Sequence, residues 1–427
     1  LGARLSGYEE LELDVEEAFE SAVRLLVDEG AEAIVISGDV FDSYKPSNRA
    51  IRRALSVLSW AAGEKGVPVV VAMGDHDYPQ RNDHSPIHIL THASGRVYVP
   101  PESYPRSYTA LDIVRASTVD LGGARFVVMP FIKGSPERRR RLTGALLEAA
   151  SRLCRGLERP RVLVAHYGLD GYTLQEDAVA SPAELPPCEY AALGHVHRRH
   201  IVRGVPIEGG TTTMAYPSSL VPLRLDEVRR HLEGERRGPL LVDLSGDEPV
   251  IHELEFKQPR IQAYLEARPA TRRGLIEEAR RALLKAGWRG SSRPGREPVL
   301  HLVLEMPRST PLTPRDAVEA IRSHLRVKVR LAKVRTPAPR PEAAPQAAGD
   351  GGDAEVEVIR SLLDPRNRYP ERARELARLI VEIKAAAARG DAEEAARLVA
   401  EALSDRFAAV WDESLGGASG IKRWLGG

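Results

Sequence analysis

The sequence predicts an α/β fold. Its core should be a four-layer α/β/β/α sandwich of two sheets between helices, followed by a small α/β unit and a helical C-terminal segment. Two observations carry this. Four short Asp/His-bearing segments, Gly38-Asp39-Val40-Phe41-Asp42, Gly74-Asp75-His76-Asp77, Ala165-His166-Tyr167-Gly168 and Gly194-His195-Val196-His197, each follow an apolar run. Such runs read as buried strands with polar groups at their carboxyl ends, where α/β sheets build their sites. Beyond residue 260 the texture changes to an alternation of single strands and helices.

The elements follow in order. Asp14-Val15-Glu16-Glu17 has the form of a capping box, and Phe19, Ala22, Val23 and Leu26 then recur at helical spacing. Ala33–Ile36 is the first strand. Asn48 is placed to cap a second helix running through Trp60, which returns the chain to a strand at 67–73. A right-handed crossover makes these strands parallel neighbours and sets Asp39 and Asp75 at one sheet edge. Leu240–Leu244 and Ile251–Leu254 are strand-like and belong to the core sheets.

Residues 1–260 thus form one domain, and 261–336 form the small α/β unit. The unit comprises a strand at 261–267, a basic helix at 271–286, a strand at 299–305, a helix opened by Thr313-Pro314 and a strand at 327–334. Residues 337–354, rich in Pro, Ala, Gly and Glu, read as a linker. Residues 355–427 read as a helical hairpin, with Leu376, Leu379, Ile380 and Ile383 on one helix. Val399, Leu403, Phe407 and Trp411 stand four residues apart on the next.

Composition narrows the function. A chain of 427 residues needs two or three domains, and a net charge of +1 leaves any nucleic-acid surface to local clusters. Cys154 and Cys188 are the only cysteines and form no CxxC pair, which argues against a thiolate zinc site and fits a reducing cytoplasm. No apolar run approaches the roughly 20 residues of a membrane span. Asn occurs only at 48, 82 and 367, while Arg is abundant, a thermophile-like balance.

With these four segments in this order, the chain resembles the calcineurin-like metallophosphoesterases, whose motifs run D-x-H, G-D-x-x-D, G-N-H-[DE], a lone His after a strand, and G-H-x-H. The first motif is not in the sequence. In the DNA-repair branch D-x-H is followed by Leu-Gly, and this chain begins Leu1-Gly2, so it reads as cut or mis-started just after that motif. The resemblance implies two divalent ions per subunit, Mn²⁺ by expectation with Mg²⁺, Fe²⁺ or Zn²⁺ as other candidates. One ion would take Asp39, Asp75, His166 and His195. The other would take Asp39, His197 and the two groups of the first motif. His76 would be the catalytic acid and not a ligand. Asp42 and Asp77 would orient such histidines from behind or face solvent. Asp75 departs from the usual Asn and adds a negative charge.

Further likeness is to the nuclease subunit of archaeal double-strand-break repair complexes, carried by His197-Arg198-Arg199 and by Ala215-Tyr216-Pro217-Ser218-Ser219-Leu220, where Ser218 replaces the usual Gly. It implies a Mn-dependent DNA nuclease, a 3′–5′ exonuclease and single-strand endonuclease, acting in the cytoplasm as a homodimer on DNA ends. Lys45, Ser47, Arg49, Arg81 and Arg198 would contact DNA phosphates. Leu379, Ile383, Leu403, Phe407 and Trp411 would dock a coiled-coil ABC-type ATPase. Two other classes share part of the pattern: a generic metallophosphodiesterase, and a non-catalytic DNA-tethering scaffold.

Overall fold

The computed structural model describes residues 1–6, 8–79, 84–269, 271–306, 312–335, 351–364, 367–389 and 391–410. They fall into two compact units, Leu1–Pro337 and Ala338–Gly427.

The first unit opens with α1 (Leu11–Asp28), β1 (Ile34–Ile36), α2 (Asn48–Leu58), β2 (Val69–Val71) and β3 (Val97–Tyr98). Then come α3 (Ala110–Ala116), β4 (Thr118–Leu121), β5 (Ala124–Val128), α4 (Pro136–Cys154) and β6 (Arg161–Ala165). A short pair, β7 (Gly168–Leu169) and β8 (Ala178–Ala180), precedes β9 (Tyr190–Leu193), β10 (His200–Ile207) and β11 (Gly210–Tyr216). The core closes with α5 (Leu225–Leu232), β12 (Leu240–Asp243) and β13 (Val250–Glu253).

Strands β1, β2 and β3 form one parallel sheet, with Ile34 opposite Val69 and Ile36 opposite Val71. A second sheet has the order β10-β11-β9-β6-β5-β4. Its four central strands are parallel and its two edge pairs antiparallel. β12 and β13 form an antiparallel pair.

Alternation along each strand sorts the side chains into layers. Ile34, Ile36, Val69 and Val71 pack with Phe19, Val23, Ala54 and Leu58 of the outer helices. On the opposite face, Val35, Val70 and Ala72 meet Phe126, Val128, Val162, Val164 and Ala192 of the second sheet. Val127, Leu163, Ala165 and Leu193 pack under Leu146, Leu147 and Ala150 of α4. Three apolar layers between four layers of backbone make this the expected α/β/β/α sandwich. Both cysteines are buried in the layer beneath α4, their sulfurs 2.9 Å apart and unbonded.

Two helix starts differ from expectation. α1 begins at Leu11, and Asp14 is not its cap but lies inside its first turn with a buried carboxylate. α2 is capped by Ser47, which accepts from Ala50 N–H, and Asn48 is its first residue. Asp14 is committed elsewhere. It accepts the Tyr8 hydroxyl at 2.6 Å and the Arg260 guanidinium at 2.6 and 3.1 Å.

Arg260 leads into the small α/β unit: β14 (Gln262–Ala267), α6 (Arg272–Lys285), β15 (Val299–Glu305), α7 (Pro314–Leu325) and β16 (Lys328–Arg335). Its three strands are parallel, and both helices share one apolar layer with them around Leu275, Leu283, Leu302 and Ile321. The Asp14–Arg260 pair, with Lys328–Glu10 at 2.6 Å and Arg296–Glu17 at 2.5 Å, fastens this unit to α1.

The second unit holds α8 (Gly351–Leu363), α9 (Pro370–Ala388) and α10 (Ala392–Ala402). This is a three-helix arrangement and corrects the expected hairpin, because α8 starts where a linker was anticipated. Val356 and Leu363 of α8, Leu376 and Ala377 of α9, and Ala402 enclose Phe407 completely. Phe407 is therefore a core residue and not an exposed anchor. Leu379 and Ile383 are half-buried against the same core, whereas Leu403 is 44% exposed. Trp411 lies outside the described residues, as does most of the expected linker. Among the described residues no helix is long and apolar enough to cross a membrane.

Two outcomes follow from the packing. Arg260→Ala should lose about 3 kcal/mol in denaturant unfolding, because it strands a buried carboxylate, and Asp14→Asn in the same chain should restore part of that loss. His301, fully buried in β15, is bonded to Gln262 at 2.7 Å and faces Arg330; burial first and that charge second push its pKa down to about 3. Since the unfolded imidazole titrates near 6.5, its stabilising contribution is whole above that pH and is lost as pH falls toward about 3. His301→Gln should make the stability of the first unit less sensitive to pH across that window, read from unfolding midpoints.

Candidate metal centre and its surroundings

The four Asp/His segments leave the carboxyl ends of β1, β2, β6 and β9, two from each sheet. Their loops converge because glycine lets backbones touch. A Cβ on Gly74 would sit 2.0 Å from Asp39 Oδ1, and one on Gly194 would sit 1.9 Å from the Ser37 carbonyl oxygen. Asp39 and His195 both take left-handed backbone angles, with φ of 54° and 80°, which turn their side chains out of the strand direction.

His166 is at the centre. Its Nδ1–H donates to the Ser37 carbonyl at 2.7 Å, and Nε2 faces Asp75 Oδ1 at 2.9 Å and Asp39 Oδ2 at 3.3 Å. Burial lowers the basicity of this ring, but the two carboxylates outweigh it and raise the pKa to about 10. Asp75 also meets His195 Nδ1 at 3.3 Å. Burial would raise its carboxyl pKa, yet the two imidazoles hold it well below the ordinary range.

Asp75, His166 and His195 lie with ligand atoms within 4.8 Å of one another, and so do Asp39, Asp75 and His76. Carboxylate oxygens and imidazole nitrogens converging on one point are the donor set that suits Mn²⁺, Fe²⁺ or Zn²⁺, so the residues fit a divalent ion. His76 is fixed by Nδ1–H donation to the Asp42 carbonyl at 2.7 Å and is roughly half exposed. Burial opposes its protonation, but that carbonyl and the charges of Asp39, Asp75 and Asp42 raise its pKa.

The remaining predicted residues are spread more widely. His197 is in neither group, and its Nδ1 meets Glu227 Oε1 at 2.8 Å. Asp77 orients no histidine and does not reach solvent. Its buried carboxylate accepts from the backbone N–H of Val40, Phe41 and Gly74 at 3.0–3.3 Å, tying the first ligand loop to the second. Burial, then the Asp39 charge, lift its pKa to about 6 against these bonds.

Ser47 is used as a helix cap and donates to Glu12, and Arg49 grips buried Glu16 through two bonds of 2.8 and 3.0 Å. Both expected DNA contacts thus have partners within the protein, and the Arg49 side chain stays 49% exposed. Lys45 and Arg198 are exposed beside the site. Arg81 lies outside the described residues. Ser218 keeps a turn with φ of 79°, so the glycine geometry persists without the glycine.

Sequence reasoning missed Glu227 and Arg237, and it took Tyr216 only as part of a motif, without its hydroxyl's donation to the Tyr167 carbonyl beside His166 at 2.8 Å. A Glu in the first turn of a helix carries no signal in one sequence. A cleft of about 1170 Å³ is lined by Asp39, His76, His166, His195 and His197 and by Val35, Leu240 and Val242.

The calcineurin-like phosphoesterase family pattern matches residues 14–199, a span holding every candidate ligand. The chain is 34% identical over 309 residues to the DNA double-strand break repair protein Mre11 of Aeropyrum pernix, covering 71% of each. The chain belongs to the Mre11 family. Mre11 proteins of Thermoplasma acidophilum and Methanocaldococcus jannaschii are 25% identical over 271 residues and 22% over 261. The matches take in 62% and 60% of this chain and 66% and 63% of those Mre11 relatives.

In this Mre11-family chain, Gly74→Ala adds no left-handed strain but pushes on Asp39. Mn²⁺ affinity measured by calorimetry should fall by about tenfold or more, with the unfolding transition retained.

Proposed function

We propose that this chain is a metal-dependent DNA nuclease that processes ends in double-strand-break repair. The observation that carries the reading is the convergence of Asp39, Asp75, His166 and His195 from four parallel strand ends, with His76 beside them, in a chain similar to Mre11 proteins. The finer reading is Mn²⁺-dependent 3′–5′ exonuclease and single-strand endonuclease activity. It acts as a homodimer with a coiled-coil ABC-type ATPase partner in the cytoplasm.

Asp39, Asp75, His166 and His195 would hold one ion, and Asp39 with His197 would contribute to a second. Such ions supply charge neutralisation for a phosphodiester and a lowered pKa for attacking water. The protein's own groups do the rest. Ser37 fixes the His166 ring so that Nε2 faces the carboxylates. The Asp42 carbonyl fixes the His76 ring, whose Nε2 lies 3.8 Å from Asp75 Oδ2, and the raised pKa favours the protonated ring that an acid for the departing alkoxide needs. Lys45 and Arg198 offer exposed charge for backbone phosphates. Val399 and Leu403, one turn apart at the end of α10, are exposed apolar side chains open to a partner, as are Val358 and Leu362 of α8.

His76→Ala separates chemistry from binding. It should keep Mn²⁺ stoichiometry and DNA affinity while abolishing release of nucleotides from a labelled duplex with Mn²⁺. Loss of bound metal in that variant would make His76 a ligand, and retained cleavage would end its role as acid.

A further inference from the structure

Resting on the metal-centre reading above, we propose that Glu227 is a positioning residue for His197. Glu227 holds the proton of that imidazole on Nδ1 and leaves Nε2 free as the coordinating atom. Glu227 comes from α5, thirty residues after His197, and its side chain is 1% exposed. Oε1 takes the His197 Nδ1–H at 2.8 Å. Oε2 takes the Leu223 N–H at 2.9 Å and lies 3.3 Å from the Ser219 hydroxyl, which also faces the Val221 carbonyl at 3.2 Å.

Arg237, with a fully buried side chain, lies behind the pair. Its Nη1 is 3.9 Å from Oε2, donates to the Ser219 carbonyl at 3.1 Å and reaches the carbonyl of His197 itself at 3.5 Å. One cation therefore fixes the backbone of His197 and the carboxylate that grips its ring. A buried carboxylate facing one ring nitrogen, with the other ring nitrogen left for a cation, is how metal-binding histidines are oriented. Ser219 belongs to the Tyr216-Pro217-Ser218-Ser219-Leu220 segment, so that motif gains a physical role here as the shelf under the carboxylate.

Glu227→Gln tests this through atom placement. The amide oxygen must replace Oε2, because the Leu223 N–H points there and the Arg237 guanidinium lies 3.9 Å away, and its NH₂ then faces His197. That turns Nδ1 into an acceptor and moves the proton to Nε2. Nitrogen-15 spectra of histidine-labelled, metal-free protein, followed to the high-pH limit of the ring signals, should show His197 as the Nδ1–H tautomer. In Glu227→Gln they should show the Nε2–H tautomer, with Mn²⁺ binding at the second site, the one to which His197 would contribute, reduced about tenfold. Glu227→Ala, if it folds, should give a mixture of tautomers. An Nε2–H ring in the parent chain, or unchanged shifts in Glu227→Gln, overturns the proposal. Because the tautomer is read without metal or DNA, failure of the nuclease reading would leave that result standing.

Discussion

The His166 ring is the interaction on which the site depends, because it crosses from one sheet to the other. The ring belongs to the strand end of β6. Its partners, the Ser37 carbonyl and the carboxylates of Asp39 and Asp75, belong to the strand ends of β1 and β2. The sandwich thus has a polar closure at one edge of an otherwise apolar interface formed by Val35, Val70, Val162 and Val164. Any slip of one sheet against the other by a residue would exchange inward and outward side chains and separate these groups. Apolar packing between the sheets and geometry at the site are for that reason one constraint.

Around this ring the protein repeatedly uses backbone atoms and buried carboxylates to hold side chains that must face a cation. Asp77 gathers three N–H groups from both ligand loops, the Asp42 carbonyl orients His76, and Tyr216 anchors the chain next to His166. Few of these groups bear on a ligand directly. Their effect is to fix rotamers and backbone around buried His166 and part-buried His195 in advance, a preorganisation that lowers the cost of binding a ligand there.

The catalytic half was legible because apolar runs ending in Asp and His satisfy two rules at once, strand burial and strand-end placement. Asp39, Asp75, His166 and His195 came together as read. The small α/β unit was also legible, since Thr271 and Thr313 signal helix starts that the structure keeps. What failed was partner choice. Asp14 has the spacing of a cap, but a guanidinium 246 residues away claims its carboxylate. Arg49 reads as a phosphate contact, and its pairing with buried Glu16 was not visible. Phe407 has the spacing of a docking stripe, and a helix beginning at Gly351 covers it. Periodicity reports that a face is apolar or charged and not what lies against it. Long-range pairings of this kind require the folded chain.

The Asp14–Arg260 pair also bears on the order in which the molecule is made. Position 14 leaves the ribosome 246 residues before its partner. Synthesis at about 5–20 residues per second then separates the two by tens of seconds at the slowest rate. During that interval α1 carries an acidic group destined for burial with no cation to meet it, so it remains hydrated at the rim of the growing sandwich. Arrival of Arg260 lets the carboxylate be withdrawn from water, and β14 begins two residues later. Docking of the small unit onto an α1 already packed against β1 and β2 becomes a late event. A nascent chain stopped short of residue 260 would expose that rim to proteases, and one that passes it would not.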